Sequence, residues 1–495
     1  MKFRSLIITG FALLAASQLD AQIQNDEYAA RRVALAQKLG DGILVALGSP
    51  EPEEDFLSFN QNSNFKYLTN FNEPAAALVM VIRNGAIAGS PMLFVQPSDP
   101  AREVWTGHRL GIPGVKAALA MEGRNIATLG KVVDSLAASA PSATLFTVGN
   151  FNPDGPIITP DDQIVAGFLK SNNRLAIKSV NNEVANLRRI KTAAELDLLR
   201  RSVNITVGAH RDAMRLIEPG MNEFEVQALI EYDFRRNGAD RPSFSTIVGS
   251  GPNSTTLHYN ADDRFIEQND MIVMDIGASY RGYAADVTRT VPADGTFSDA
   301  QRDIYSAVRA AQAAAEAAAK VNVPGRALSD AANASLDASL SKLGLIESPG
   351  ATYECGPGRE CLQRTLYYMH SLGHGIGLDV HDPGAASGTA PLVPGSAFTI
   401  EPGIYVRGNL LDIIPNTPKN QALISKIRPS VQKYANIGVR IEDDYIVTPT
   451  TVEWISRAPR EIAEIEAIMK EKWTGPSPRD PATVEAYRST GRRVP

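Results

Sequence analysis

The chain has 495 residues, a formal net charge of -6 and 44% hydrophobic residues. That length exceeds what one hydrophobic core serves and implies two or three domains. The mild acidity gives no support for nucleic acid as a partner, and the hydrophobic share is ordinary for a soluble globular protein.

Residues 1–21, MKFRSLIITGFALLAASQLDA, carry Lys2 and Arg4, an apolar run from about Leu6 to Ala16, then small residues. That order is expected of a secretory signal peptide cut after Ala21, with Ser17 as a rival site. The run is too short to span a bilayer stably, and no later stretch is apolar enough for a second membrane segment. The expectation is an exported protein, periplasmic or secreted, with no membrane association once the leader is removed.

Residues 22–180 read as an α/β domain. The strand-like runs GILVALG, AAALVMVI, PMLFVQP and ATLFTVG alternate with helical stretches such as EYAARRVALAQKL and GKVVDSLAASA. Residues 181–460 form a second domain, opening at Asn186 in NLRRIKT. Thr192-Ala-Ala-Glu195 and Asn222-Glu-Phe-Glu225 are capping boxes that start helices.

Met271 to Pro292, MIVMDIGASYRGYAADVTRTVP, reads as a hairpin turning at Arg281-Gly282. In that register Gly277 faces Asp286, and Asp275 and Asp286 are diagonal neighbours on one face, roughly 7–8 Å apart at the backbone. Gly277 leaves out a side chain that would fill the gap between them. Two like charges so placed repel unless a cation sits between them. A solvated pair of strand acids is the bland alternative.

Ser298-Asp-Ala-Gln301 repeats the box at Thr192, and Val323-Pro-Gly repeats Glu218-Pro-Gly, with a further helix from about Ser329. The paired features are separated by about 105 residues, which is an internal duplication. Cys355 and Cys361 bracket a Gly-Pro-Gly turn; in an exported chain a local disulfide is expected there, with paired free thiols as the alternative.

Of six histidines, His370, His374 and His381 fall in YYMHSLGHGIGLDVHDPG, where Gly373, Gly375 and Gly377 let the backbone approach a bound group. Glu401 lies in FTIEPGIY and Glu442 in NIGVRIEDDYIVT, each read as an acid inside an apolar strand, which is expensive to bury without a partner. Asp275, Asp286, His374, Glu401 and Glu442 are an oxygen-rich set with one imidazole. Such a set suits two divalent ions, Mn, Co or Zn, in a hydrolytic site. Each half of the duplication then contributes acids, which places the metals on a pseudo-two-fold axis. Arg440, on the same strand face as Glu442, is expected to pair with a ligand carboxylate, with Tyr405 nearby. Residues 461–495 read as a closing helix that starts at about Pro459, followed by a loosely ordered tail from Thr474.

In order and local wording these motifs resemble the M24 metallopeptidases of the pita-bread fold, the group that holds methionine aminopeptidase, prolidase and aminopeptidase P. The resemblance implies an α/β, creatinase-like N-terminal domain followed by an α+β pita-bread catalytic domain. It implies that Asp275, Asp286, His374, Glu401 and Glu442 are the metal ligands. Asp275 would be terminal on one ion, Asp286 and Glu442 would bridge both, and Glu401 would also move a proton. His258, in TTLHYN, and His381 match histidines that hold the substrate carbonyl; His370 is either a substrate contact or structural.

NQNSNFKYLTNFNEPAAALVM and REVWTGHRLG resemble the N-terminal domain of aminopeptidase P and prolidase. The resemblance implies peptide substrates with proline second and a homo-oligomer, dimer or tetramer, in which Trp105 can reach toward a neighbouring subunit. Burial statistics favour instead a Trp105 packed within its own domain. His108 is read as exposed or structural, and His210 as surface or core. The activity implied is an Xaa-Pro aminopeptidase; the alternatives are a prolidase restricted to dipeptides and a non-peptidase use of the fold. The segment between Glu401 and Glu442 is long and is expected to reshape the entrance. Gly373 and Gly375 replace the bulkier or hydroxylated residues of aminopeptidase P.

Overall fold

The computed structural model describes residues 23–490, apart from 55, 141, 153–155, 173, 174, 385–387, 472 and 478. The leader expected at 1–21 lies outside the described residues. Among them no helix is long and apolar enough to cross a membrane.

The N-terminal unit is built on a seven-stranded mixed sheet. Its central strand, Gly42–Leu47, pairs antiparallel with Ala77–Arg83 and parallel with Thr144–Val148. Every residue of that strand is buried, because helices cover both faces. Leu44 and Ala46 enter one core while Ile43, Val45 and Leu47 enter the other. The period-two alternation therefore survives in which core each side chain joins, although polarity does not alternate.

The second unit repeats one plan twice. Helices Ala193–Leu216 and Glu223–Arg236 precede the first hairpin, and helices Asp299–Ala318 and Arg326–Lys342 precede the second. The capping boxes at Thr192, Asn222 and Ser298 are all formed, each side-chain oxygen accepting a backbone N–H of the first turn. The fourth helix begins at Arg326 without a side-chain cap, a little before the expected Ser329.

The first hairpin pairs Met271–Ile276 with Val287–Pro292, and beyond a break Ala278–Tyr280 with Tyr283–Ala284. The second pairs Ala397–Ile400 with Asp443–Val447, and beyond a break Gly403–Val406 with Ile437–Arg440. Each hairpin is thus interrupted in mid-course, and the interruptions face one another: Glu442 N–H donates to Thr288 O at 3.1 Å, and Thr290 Oγ1 donates to Arg440 O at 2.8 Å.

Three expectations need correction here. The long segment 407–436 carries the helix Pro418–Lys433, whose Leu423, Ile424, Ile427 and Val431 enter the main core, and no residue of that segment lines the cavity described below. The closing helix is Ile462–Ile468, starting after Arg457 and Arg460, each of which stacks on the Trp454 ring. Over its described residues, up to Thr490, the tail beyond Thr474 is not loose. It carries a helix, Pro481–Thr490, held by Arg488 over the Phe265 ring at 4.7 Å and by Arg479 beside Glu225 at 3.4 Å.

Trp105 is also corrected. It is 76% exposed on the helix Pro100–Thr106, no residue of which is buried. His108 is exposed beside Glu103, and His210 is wholly buried in the core. Cys355 and Cys361 are joined in a disulfide.

Candidate metal centre

Arg281 and Gly282 have φ of 51° and 89°, the left-handed pair that a two-residue turn with native twist requires. The register of the first hairpin is therefore the expected one, with Asp275 across from Thr288. The reason for Gly277 is different. A Cβ there would lie 1.9 Å from Ala285 O, so the glycine serves a backbone approach at the hairpin break rather than a gap between acids. The same holds for the histidine segment. A Cβ at Gly373 would lie 2.1 Å from Thr399 O, and one at Gly375 would lie 2.3 Å from Asp382 O. These glycines admit the protein's own backbone, and Gly373 and Gly375 also line the cavity described below.

Only Asp275 of the four acids lies within a strand. Asp286 immediately precedes Val287–Pro292, Glu401 follows Ala397–Ile400, and Glu442 sits between Ile437–Arg440 and Asp443–Val447. Glu401 and Glu442 are therefore not interior strand residues as expected. The breaks swing their carboxylates off the pleat toward a common point, and continuation of the register places them opposite each other.

His374 completes the group. Its Nε2 lies 3.4 Å from Asp286 Oδ2, 3.5 Å from Glu401 Oε1 and 3.8 Å from Glu442 Oε1. Its Nδ1 is 3.0 Å from Gly375 O, which fixes the proton on Nδ1 and turns the Nε2 lone pair toward the acids. Ligand-type atoms of Asp286, His374 and Glu442 lie within 4.8 Å of one another.

Asp275 Oδ1, Asp286 Oδ1 and Glu442 Oε1 are buried with no hydrogen-bond partner. Burial, then the neighbouring carboxylates, push Asp286 and Glu401 well above the usual carboxylate range, and burial together with Asp275 raises Glu442 to about 7. Burial lowers His374, but Glu401 and Glu442 outweigh it and hold the imidazole above its ordinary value. Unpaired carboxylate oxygens converging on one imidazole are what hard or borderline divalent cations need, and these residues fit such ions.

Arg440 answers the expectation made for it. Its Nη2 donates to Asp275 Oδ2 at 2.5 Å and its Nη1 to the Tyr405 hydroxyl at 2.8 Å. Tyr405 in turn lies 2.9 Å from His370 Nε2, while His370 Nδ1 is 2.9 Å from Ser371 O. Since Tyr405 accepts from Arg440, it donates to His370, and both ring nitrogens of His370 are taken up. Burial and Arg440 lower its pKa to about 4, so His370 is neutral and supports the wall.

His258 and His381 line the same cavity, of about 720 Å³, with Phe244, Ile247, Leu257 and Val380 as apolar wall. The His381 and His374 rings are 4.2 Å apart.

Several supporting residues escaped the sequence reading. Asp444 Oδ2 accepts the Asp286 N–H at 3.2 Å, and Thr288 Oγ1 donates to Glu442 Oε2 at 2.7 Å. Wholly buried Arg289 donates to Glu442 O at 2.7 Å and to Asp443 Oδ1 at 2.6 Å. Two signals could have found them: Asp444 shares the strand face of Glu442 two residues away, and a lone arginine in VTRTV demands a buried partner.

A duplicated α+β domain that aims four carboxylates and one imidazole at the floor of a cavity defines a metal-dependent hydrolase. The comparisons agree. The model for metallopeptidase family M24 matches residues 197–449, and that for the aminopeptidase P N-terminal domain matches residues 28–146. The chain is 30% identical over 475 residues to the Xaa-Pro aminopeptidase of Escherichia coli (strain K12), covering 91% of this chain and 98% of that one. It is also 30% identical over 457 residues to the Xaa-Pro dipeptidase of Homo sapiens, covering 86% and 89% respectively. Zinc-substituted E. coli aminopeptidase P in complex with product matches at a TM-score of 0.76 and 28% identity, covering 90% of this chain and 98% of that one. The chain belongs to metallopeptidase family M24, in the branch that carries the aminopeptidase P N-terminal domain.

Proposed function

We propose that the protein is an exported two-metal aminopeptidase that removes the first residue from peptides with proline in second position. The observation that carries this reading is the set of unpaired buried carboxylate oxygens around His374, in a chain similar over nearly its whole length to an Xaa-Pro aminopeptidase. In this reading Asp275, Asp286 and Glu442 would hold one divalent ion, and Asp286, Glu442, His374 and Glu401 the other. Manganese is proposed, with cobalt or zinc as alternatives. When bound, the ions lower the pKa of a water molecule and polarise the scissile carbonyl.

The chain's own groups do the rest. Glu401 takes a proton from the attacking water on one carboxylate oxygen and delivers it to the departing proline nitrogen. His258 and His381 donate from ring nitrogens to the substrate carbonyl oxygen as charge develops on it. Arg440 fixes Asp275, and Tyr405 fixes Arg440. The Xaa-Pro nitrogen carries no hydrogen and the residue before it is conformationally restricted, so a dedicated exopeptidase suits this bond. Export rests on the leader-like residues 1–21. The exposed Trp105 and Val104 support a homo-oligomer, dimer or tetramer, which light scattering tests.

The similarity to the human Xaa-Pro dipeptidase favours a second reading, a prolidase. Purified protein loaded with Mn, Co or Zn and offered Xaa-Pro and Xaa-Pro-Xaa separates them. Cleavage of the tripeptide at its first bond is expected. Cleavage of the dipeptide alone selects the prolidase, and no hydrolysis with any of the metals rejects both.

A further inference from the structure

His381 is carried on a loop that folds back on itself. Asp382 N–H donates to Gly375 O at 2.9 Å, and the Asp379 N–H reaches Asp382 Oδ1 at 3.2 Å. The side chain next to His381, that of Asp382, lies at the cavity wall and enters a buried ion cluster. Lys191 Nζ donates to Asp382 Oδ2 at 2.7 Å and Arg188 Nη2 donates to Asp382 Oδ1. Asp382, Lys191 and Arg188 are all buried. Room for this packing comes from Gly377, where a Cβ would lie 2.8 Å from Asp382 Cγ and 2.9 Å from Lys191 Cε.

The two cations belong to the connection between the domains, at the end of the helix Asn181–Arg188 and just beyond it. From there the network enters the N-terminal sheet domain. Arg188 Nη1 donates to Asn64 Oδ1 at 2.7 Å, and Nη2 also donates to Asp379 Oδ2 at 2.6 Å. Ser63 Oγ donates to Asp379 Oδ1 at 2.6 Å. Ser63 and Asn64 open the helix Ser63–Thr69, whose Phe65 and Leu68 are wholly buried in the N-terminal core. A continuous path of charged hydrogen bonds therefore runs from that core to the residue beside His381.

We propose that Asp382 is a positioning residue for His381, and that Arg188, Lys191, Ser63 and Asn64 make the N-terminal domain a working part of the substrate cavity. The physical reason is that, beyond Ile376 and Leu378, which pack into the cores, the turn carrying His381 is flanked by Gly377 and Gly384 and takes its shape from the ions that clamp it. Arg188 is suited to the clamp because its planar fork spreads two nitrogens over acceptors on separate elements, Nη1 to Asn64 and Nη2 to Asp379 and Asp382, a reach that the single nitrogen of an ammonium lacks. The proposal rests on the aminopeptidase reading for the role of His381, while the clamping of the loop is independent of it.

Removing Arg188 or Asp382 outright strands a buried charge and can prevent folding. The test therefore uses Arg188→Lys, which keeps the charge and loses the fork, and Asn64→Ala, which lies in the other domain. Hydrogen exchange of the amides at 375–384 is compared with that of the strand at 271–276, followed by kinetics on an Xaa-Pro-Xaa tripeptide with the metal-loaded protein. Both variants are expected to exchange faster at 375–384 with no change at 271–276, and to lose roughly tenfold in kcat with a smaller change in KM, because the lost contact strengthens in the transition state. The combined variant is expected to lose less than the product of the single effects, since both residues act through one clamp. Unchanged exchange at 375–384 overturns the clamp. Faster exchange with unchanged kcat overturns the positioning of His381. A parent that hydrolyses no peptide defeats the aminopeptidase reading instead, and the clamp is then decided by exchange alone.

Discussion

Loading the metal-free protein with a divalent cation should release protons, and the number can be worked out from the site. Glu442 has an ordinary pKa of 4.5 and stands at about 7 in the folded chain, raised first by burial and then by Asp275. At pH 6 it would hold about 0.9 of a proton, and at pH 7 about half of one. Asp286 and Glu401 are raised further, and His374 is raised by its carboxylate neighbours, so each adds to the release. These groups titrate as one coupled set, and the observable is the total. At least one proton per chain is expected to leave at pH 6, because cation ligands must be deprotonated.

The sign of the accompanying stability change is fixed. An acid whose folded pKa lies above its unfolded value binds more protons when folded, so the metal-free protein loses stability as pH rises from about 4.5 to 7. For Glu442 alone the loss is on the order of 3 kcal/mol. Cation binding reverses it. Calorimetric titration with manganese in two buffers of different ionisation heat measures the release, and affinity at pH 6 and 8 gives the slope. No release at pH 6, together with an affinity independent of pH, would refute the argument that the buried carboxylates share protons until a cation replaces them.

Gly373→Ala places a Cβ where Thr399 O lies 2.1 Å away, so the backbone carrying His374 must move; cation affinity should fall tenfold or more in the same calorimetric titration. Arg440→Met leaves Asp275 buried without its partner and should cost about 3–5 kcal/mol in urea unfolding of the metal-free protein. Tyr405→Phe removes one hydroxyl and should cost about 1–2 kcal/mol; equal losses for the two variants would contradict the charge argument. His210 is buried with a pKa lowered to about 3 by burial and then by Arg289. Its folded pKa lies below the unfolded value of 6.5, so stability is lost as pH falls from about 6.5 toward 3, on the order of 5 kcal/mol in all. His210→Gln can still donate to Val287 O and should flatten that slope in acid unfolding curves.

Local chemistry settled much of this protein from the sequence alone. The capping boxes at Thr192, Asn222 and Ser298 and the Arg281-Gly282 turn act within a few residues, so their geometry is written in the chain itself. The alignment of Asp275 with Asp286 follows from that turn by counting. The duplication, and hence the pairing of two acid-bearing hairpins, was visible as a repeated spacing.

Only the tertiary structure decided how the halves meet. The hairpins break at Gly277 and beside Glu401, and those breaks aim Asp286, Glu401 and Glu442, while Asp275 alone is aimed by its strand position. The glycines around His374 answer to Thr399 and Asp382, which stand apart from them in the chain. Arg289, Asp444 and the Arg188 to Asp382 clamp join residues far apart in sequence. A buried charge announces in the sequence that it needs a partner, but which distant residue supplies it depends on how the two domains pack.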